Sequence, residues 1–425
     1  MRFMRLVPGL VIAAFMAAIL AIWLPAQSSP ETRPVAPQAV EMVYGGVSAF
    51  GDLPVSEFQP VAGWSFNYNV NPDIVVTSTV TGTVTTANSM AVLATGAGAN
   101  QSAQISTVRA LRYTPGQGGV ARFTAIFTDC AEDSYQEIGL GDTVDGFFFG
   151  CDDNGQFGVM RRQNGTDFWT YQADWNQGDS TPMDDLLDIT KGNVYQIKYQ
   201  WLGYGSIRFY IENPDSGDFE MVHNIKYANS HTVPSIFNPT LPIMARVANL
   251  TNTTSITMQT PSAIAGIDGK VNGPEPIHPF TLYRTQKAGK TGITTETNIM
   301  TIRNNATFQS KTNRVRVRIE ALSFFGEGTG SNTVTVQGIK NATLGGTPSY
   351  TEYSSNASVV SYDTAGTTVS GGDIVFSFEL GREIGYVENL EAFGIELAPG
   401  ETLTISVESA STIAPDLALT WLELF

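Results

Sequence analysis

Residues 146–162 read GFFFGCDDNGQFGVMRR. Two short apolar-rich runs, Gly146–Cys151 and Phe157–Arg162, flank Asp152-Asp153-Asn154-Gly155. Asp, Asn and Gly tolerate the left-handed or side-chain-bonded backbone of a tight turn, so the stretch reads as a β-hairpin. The same pattern recurs on both sides. Ala121–Thr128, Tyr195–Leu202, Ser206–Glu212 and Asp218–His223 are short alternating runs separated by Gly, Asn or Asp. Val75–Ala87 (VVTSTVTGTVTTA) is almost wholly β-branched or small, a composition that fits a pleated, half-buried surface. Many short strands joined by tight turns predict a sandwich or barrel. One short helical stretch is expected near Met183–Ile189.

A second β-rich region begins near Phe280. Before it, Ile264–Pro279 (IAGIDGKVNGPEPIHP) is dense in Gly and Pro and reads as a linker. Asn313–Leu322, Asn332–Gly338, Ile374–Glu379 and Thr402–Glu408 are strand-like, and the terminal LTWLELF predicts a last strand tucked into a sheet. The expectation is therefore all-β, with two β-sandwich (jelly-roll or lectin-like) domains over 44–265 and 280–425 and a linker over 266–279.

Leu6–Ala26 (LVPGLVIAAFMAAILAIWLPA) carries no charge and follows Arg2 and Arg5. A spanning helix needs about 20 apolar residues, whereas a secretory signal has a core of about 7–15. Trp23 lies near the far end, where indoles favour the membrane interface. Leu24-Pro25-Ala26 places Leu where a cleavage site prefers a small residue. These features predict an uncleaved signal-anchor over 1–26, with a cleaved signal peptide as the alternative. Arg2 and Arg5 would hold the N-terminus in the cytoplasm and put the bulk of the chain on the other side. Residues 27–43, with Pro30, Pro34 and Pro37, read as an extended spacer.

Composition excludes several classes. The 425 residues include 24 Lys+Arg against 40 Asp+Glu, a formal charge of −16, with 3 His and 2 Cys. An acidic chain lacks the clustered positive charge that nucleic-acid binding requires. Zinc and iron–sulfur sites lack ligands. No motif fixes a reaction and no cofactor is expected, so the chain reads as non-enzymatic. Cys130 and Cys151 fall at the ends of predicted strands on the exported side. They are a disulfide candidate, buried free thiols being the alternative.

The segments ARFTAIFTDC, YQEIGLGDTVDGFFFG, GQFGVMRRQNGTDFW and NVYQIKYQWLGYGSIRFYIENPDSGDFEMVHNIKYAN resemble structural proteins of large DNA viruses and some phages. The region from Asn304 through SYDTAGTTVSGGDIVFSF resembles repeated modules of such virion proteins. The first domain is similar to concanavalin A-like sandwiches, which often bind glycans. The resemblance implies a membrane-anchored virion structural protein, a minor capsid or surface component. Its partners would be other capsid proteins and a membrane held through the N-terminal helix. A glycan-binding attachment protein is the alternative. The anchor departs from phage fibres and fits viruses that enclose or bud through a membrane.

Candidate sites follow from these readings. One glucanase family on lectin-like sandwiches carries Glu-x-Asp-x-Glu on a strand, where alternation places the carboxylates on one face. The nearest match is Glu137-Ile138-Gly139-Leu140-Gly141, with Gly139 and Gly141 where carboxylates are needed. Glu137 is therefore expected to be a solvent-facing or hydrogen-bonded strand residue. Asp129, Glu132, Asp133, Asp152 and Asp153 could gather around Cys130 and Cys151 and suit calcium, against a reading as two solubilising acidic loops. Trp175, in the turn-like DWNQGD, is the candidate sugar platform, with Asp174 and Asn176 fixing hydroxyls; Trp201 is expected in the core. Arg314, Arg316 and Arg318 alternate with Val315, Val317 and Ile319, so the guanidinium groups share one strand face. That face would meet carboxylates or an anionic headgroup, or lie solvated. Sequons at Asn100, Asn164, Asn249, Asn252, Asn305, Asn341 and Asn356 matter only beyond a glycosylating membrane. His223, His231 and His278 share no ligand spacing and read as ordinary loop or strand-edge residues.

Overall fold

A computed structural model describes residues 58–176, 186–269, 281–328, 333–381 and 385–425. The predicted anchor with Leu6, Trp23 and Ala26, the spacer over 27–43 and most of the linker over 266–279 lie outside those residues. So do the first residues of the helical stretch at Met183–Ile189, of which Leu186 is helical. Among the described residues no helix is long and apolar enough to cross a membrane.

The described chain is all-β. In the first sandwich, a six-stranded antiparallel sheet runs in the order Phe58–Ser65, Ser262–Asp268, Gly118–Ala125, Asn193–Tyr199, Ile207–Glu212, Phe219–Ile225. A seven-stranded antiparallel sheet faces it, in the order Thr166–Tyr171, Phe157–Gln163, Gly146–Cys151, Ser134–Gly141, Ile243–Asn249, Ser102–Thr107, Val75–Val80. Alternation sets which side chains point inward. Along Ser102–Thr107 the buried residues are Ala103, Ile105 and Thr107, with partly exposed residues between them. Val75–Ala87 forms two strands, Val75–Val80 and Thr83–Ala87, because Thr81 takes positive φ beside Gly82.

Aromatic rings join the two sheets. Phe149 of the seven-stranded sheet meets Tyr195 at 4.8 Å, Phe209 at 5.4 Å and Phe123 at 6.3 Å, all from the opposite sheet. Phe147 meets Tyr199 at 5.2 Å. Buried rings of this size supply most of the hydrophobic stabilisation of a sandwich core.

The predicted hairpin closes through Asp152. Its Oδ1 accepts hydrogen bonds from the backbone N–H of Asn154 and Gln156, and Gly155 adopts φ of 72°. The flanking strands pair from Cys151 with Phe157 through Gly146 with Arg162.

The second sandwich packs one sheet, Thr281–Gly289, Ile413–Leu424, Arg316–Gly328, Gly385–Asn389, against another. The partner sheet runs Thr351–Glu352, Val360–Asp363, Thr297–Asn304, Thr402–Ser409, Val334–Lys340, Asp373–Leu380. The last strand lies between two neighbours, with Trp421 fully buried. Acids trapped in this core are bonded. Glu423 accepts from Ser358 Oγ, the Val359 N–H and Trp421 Nε1.

The three arginines of the predicted alternating face are not solvated. Arg314 pairs with Asp142 and donates to the Thr240 carbonyl at 2.5 Å, while Arg316 pairs with Glu396 at 2.6 Å and Arg318 with Glu320 at 2.7 Å. Val317 and Ile319 are buried as alternation requires. Carboxylates opposite the arginines replace water, and Arg314 reaches back to the first sandwich.

Candidate functional site

The outer face of the seven-stranded sheet is where a hydrolase carboxylate pair would sit, and it is filled. Phe148, Met160 and Met244 are fully buried there, with Trp169 packed against them. Glu137, 1% exposed, is neither solvent-facing nor free. Arg162 donates to both its oxygens, at 2.8 and 3.2 Å, and Arg246 approaches at 3.6 Å. Arg162 also holds Asp167 at 2.6 and 2.9 Å. Burial alone would lower the Arg162 pKa, but the hydrogen bonds it donates to Asp167 and Glu137 hold it above its ordinary value. A Cβ on Gly139 would lie 2.1 Å from the Phe147 carbonyl oxygen, so a carboxylate two residues from Glu137 would require the backbone to move. The strand has no second carboxylate to pair with Glu137.

The candidate acidic residues differ in burial. Cys130 and Cys151 are disulfide-bonded with Cα atoms 5.5 Å apart. Asp152, beside that bond, is buried and spends its oxygens on Asn154, Gln156 and the Tyr171 hydroxyl. Asp129, Glu132, Asp133 and Asp153 point into solvent. Among the described residues no group of three or more His, Cys, Asp or Glu could hold a metal.

Trp175 is not a surface platform. Its ring packs edge-on against Phe149 at 6.5 Å and Phe157 at 6.3 Å, and its Nε1 donates to the Thr170 carbonyl. The turn that looked exposed in sequence folds its apolar residue onto the sandwich core. Asp174 stays exposed. Asn176 bridges to the opposite sheet through both amide atoms, Nδ2 to the Asn224 carbonyl at 3.0 Å and the Asn224 N–H to Oδ1 at 2.9 Å. Trp201 is half-buried against the core, edge-on to Tyr113 at 5.6 Å.

That Asn176 bridge borders a cavity of about 360 Å³ where the edge strands of the two sheets meet. Thr166–Tyr171 supplies Phe168 and Trp169, the neighbouring strand supplies Arg161, and Phe219–Ile225 supplies His223 and Asn224. Tyr227 and His231 follow, their rings stacked 3.8 Å apart. Arg161 is 6% exposed. Its guanidinium lies 4.1 Å from the Phe168 ring and 5.2 Å from the Tyr227 ring, and it donates to the Ser235 carbonyl at 2.8 Å. His223 Nδ1 and Asn224 Oδ1 are buried without a hydrogen-bond partner among the described residues. Burial pushes the His223 imidazole below its ordinary pKa, so the ring is neutral at neutral pH.

His223 and His231, set aside on spacing, thus line one cavity. Arg161, Phe168 and Trp169 join them only through strand pairing. The signal in sequence was limited to the run TDFWTY, whose aromatics stand on an edge strand.

Asn249, one of the sequon residues, is 2% exposed and donates to three carbonyls, so the folded chain offers no glycan acceptor there.

No family model and no curated protein matches the chain. Solved structures with similar folds include the CBM2 module of the evolved Dit of Lactobacillus casei BL23 phage J-1. That module is 15% identical, with 51% of this chain and 99% of that chain covered and a TM-score of 0.35. A glycosyl hydrolase family protein from Mycobacterium fortuitum is 11% identical, with 49% and 99% covered and a TM-score of 0.34. The carbohydrate recognition domain of Emp47p is 8% identical, with 50% and 98% covered and a TM-score of 0.32. Likeness at this level transfers no residue roles. The sandwich assignment rests on the strand order and the core described above.

Proposed function

We propose that this chain is a non-catalytic glycan-binding protein that works on the exported side of a membrane and engages saccharide at the cavity between the sheet edges. The observation that carries this reading is the cavity itself. Aromatic rings (Phe168, Tyr227) line a wall that also carries Arg161, Lys226 and His223. Sugars present apolar C–H faces and hydroxyl edges together, and such a wall complements both. Two features support binding over hydrolysis: Glu137 is tied to arginines, and Gly139 lacks room for a second acid. The disulfide supports an oxidising compartment.

The test is a glycan array probed with the purified full chain. Saturable binding that Phe168→Ala weakens at least tenfold supports the proposal. Binding to no glycan, or binding unaffected by Phe168→Ala, overturns it.

A virion structural role remains a second reading, favoured by the phrasing of the segments quoted above. The Arg314–Asp142 pair, which ties the sandwiches together, suits a stiff presenting stalk. Mass spectrometry of purified particles tests it; absence of the protein would contradict it.

A further inference from the structure

The cavity differs in charge from the rest of the molecule. Acidic residues outnumber basic ones by 40 to 24 in the chain. Among the described residues, however, the cavity wall holds Arg161, Lys226, His223 and His231 and no Asp or Glu. Arg161 makes the contrast sharpest. Its neighbour Arg162 is similarly buried and holds two carboxylates. Arg161 has no carboxylate within ion-pair distance among the described residues, only the Ser235 carbonyl and two aromatic faces. A buried cation without a counter-ion is costly. Stacking on rings returns only part of that cost. A guanidinium offers five N–H donors in a fork matched to an oxyanion, and one bond to Ser235 leaves most of them for a ligand.

We propose that this cavity selects an acidic saccharide, one whose ring carries a carboxylate or a sulfate ester, with Arg161 as the oxyanion receptor. This rests on the reading of the cavity as a glycan site. The exposed Lys226 adds attraction at the mouth. Phe168, 44% exposed, presents its ring at the cavity. A volume of about 360 Å³ lies at the small end of ligand cavities and accommodates one or two sugar rings. The net negative charge of the chain, −16, disfavours nucleic acid.

Isothermal titration of the full chain tests this with matched oligosaccharides: one neutral backbone, the same backbone with a terminal sialic acid or uronate, and the same backbone sulfated. The acidic forms should bind at least tenfold tighter than the neutral one, with the advantage shrinking between 50 and 500 mM salt. Carboxylate and sulfate arms identify which oxyanion is preferred, either preference supporting the proposal. Arg161→Met should erase the acidic advantage. Because Arg161 is buried, Lys226→Glu provides an independent variant at an exposed position and should reduce the advantage several-fold without altering the unfolding midpoint. Equal affinity for neutral and acidic forms, unchanged by either variant, overturns the acidic preference and leaves glycan binding standing. Binding to none of the three sugars overturns both. Binding only to phosphopeptides or polyphosphate also overturns the proposal.

Discussion

Arg161 and Arg162 are neighbours on one strand and face opposite sides of its sheet. Arg162 is closed by Glu137 and Asp167. Arg161 faces the cavity between the sheet edges, stacked on Phe168 and Tyr227 and donating to the Ser235 carbonyl. Strand alternation thus separates a structural arginine from one placed to meet a ligand.

Glu137 is expected to be structural. Glu137→Gln removes the charge that compensates Arg162, and breaking a buried pair from one side costs about 3–5 kcal/mol. Asp167, partly exposed, keeps the loss near the lower end. Replacing both partners, Glu137→Leu with Arg162→Met, should recover much of it. Urea unfolding of the three variants reads the difference. Sugar release by the wild type, abolished in Glu137→Gln at unchanged stability, would contradict the assignment.

Phe149 is the central ring of the first core. Phe149→Ala leaves a cavity beneath Tyr195, Phe209 and Phe123 and should destabilise by about 3–5 kcal/mol. Phe149→Leu should cost markedly less. Chemical denaturation measures both; a loss below about 1 kcal/mol would show that the two sheets do not depend on this ring.

The Cys130–Cys151 disulfide closes a loop of 21 residues. Constraint of the unfolded chain on that scale is worth about 3 kcal/mol. The paired substitution Cys130→Ala with Cys151→Ala should lower the melting temperature by roughly 6–12 °C, measurable by calorimetry. Equal melting temperatures with and without reductant would argue that the bond contributes nothing.

His223 makes stability depend on pH. Burial depresses its pKa in the folded state below the ordinary 6.5. The unfolded chain therefore binds the proton first as pH falls. The contribution is complete above about pH 6.5 and is lost as pH drops through the folded value. The urea midpoint should fall between pH 7.5 and 5, and His223→Gln should flatten part of that slope. Identical slopes would mean that the imidazole protonates freely in the folded protein.

The all-β class was legible because alternation and turn chemistry are local. Asp152 and Gly155 announced their hairpin, and Ala103, Ile105 and Thr107 alternate inward as written. The site was less legible because its parts meet only after distant strands pair. Trp175 shows this most plainly: its turn-like surroundings suggest exposure, yet Phe149 and Phe157 receive its ring. Phe148, Met160 and Met244 fill the outer sheet face, which a one-sided alternation rule assigns to solvent. Arg161 beside Arg162 reads as a basic pair; only the fold shows that one holds two acids and the other faces a cavity.

Two of the chain's 3 histidines, His223 and His231, line the cavity. The most direct test of the central claim is a titration of the full chain, ¹³C-labelled at histidine Cε1, with its tightest-binding oligosaccharide. The His223 and His231 resonances, assigned through His223→Gln and His231→Gln, should shift together and saturate with the calorimetric affinity. Saturable binding that leaves both resonances unmoved would place the ligand elsewhere and contradict the account.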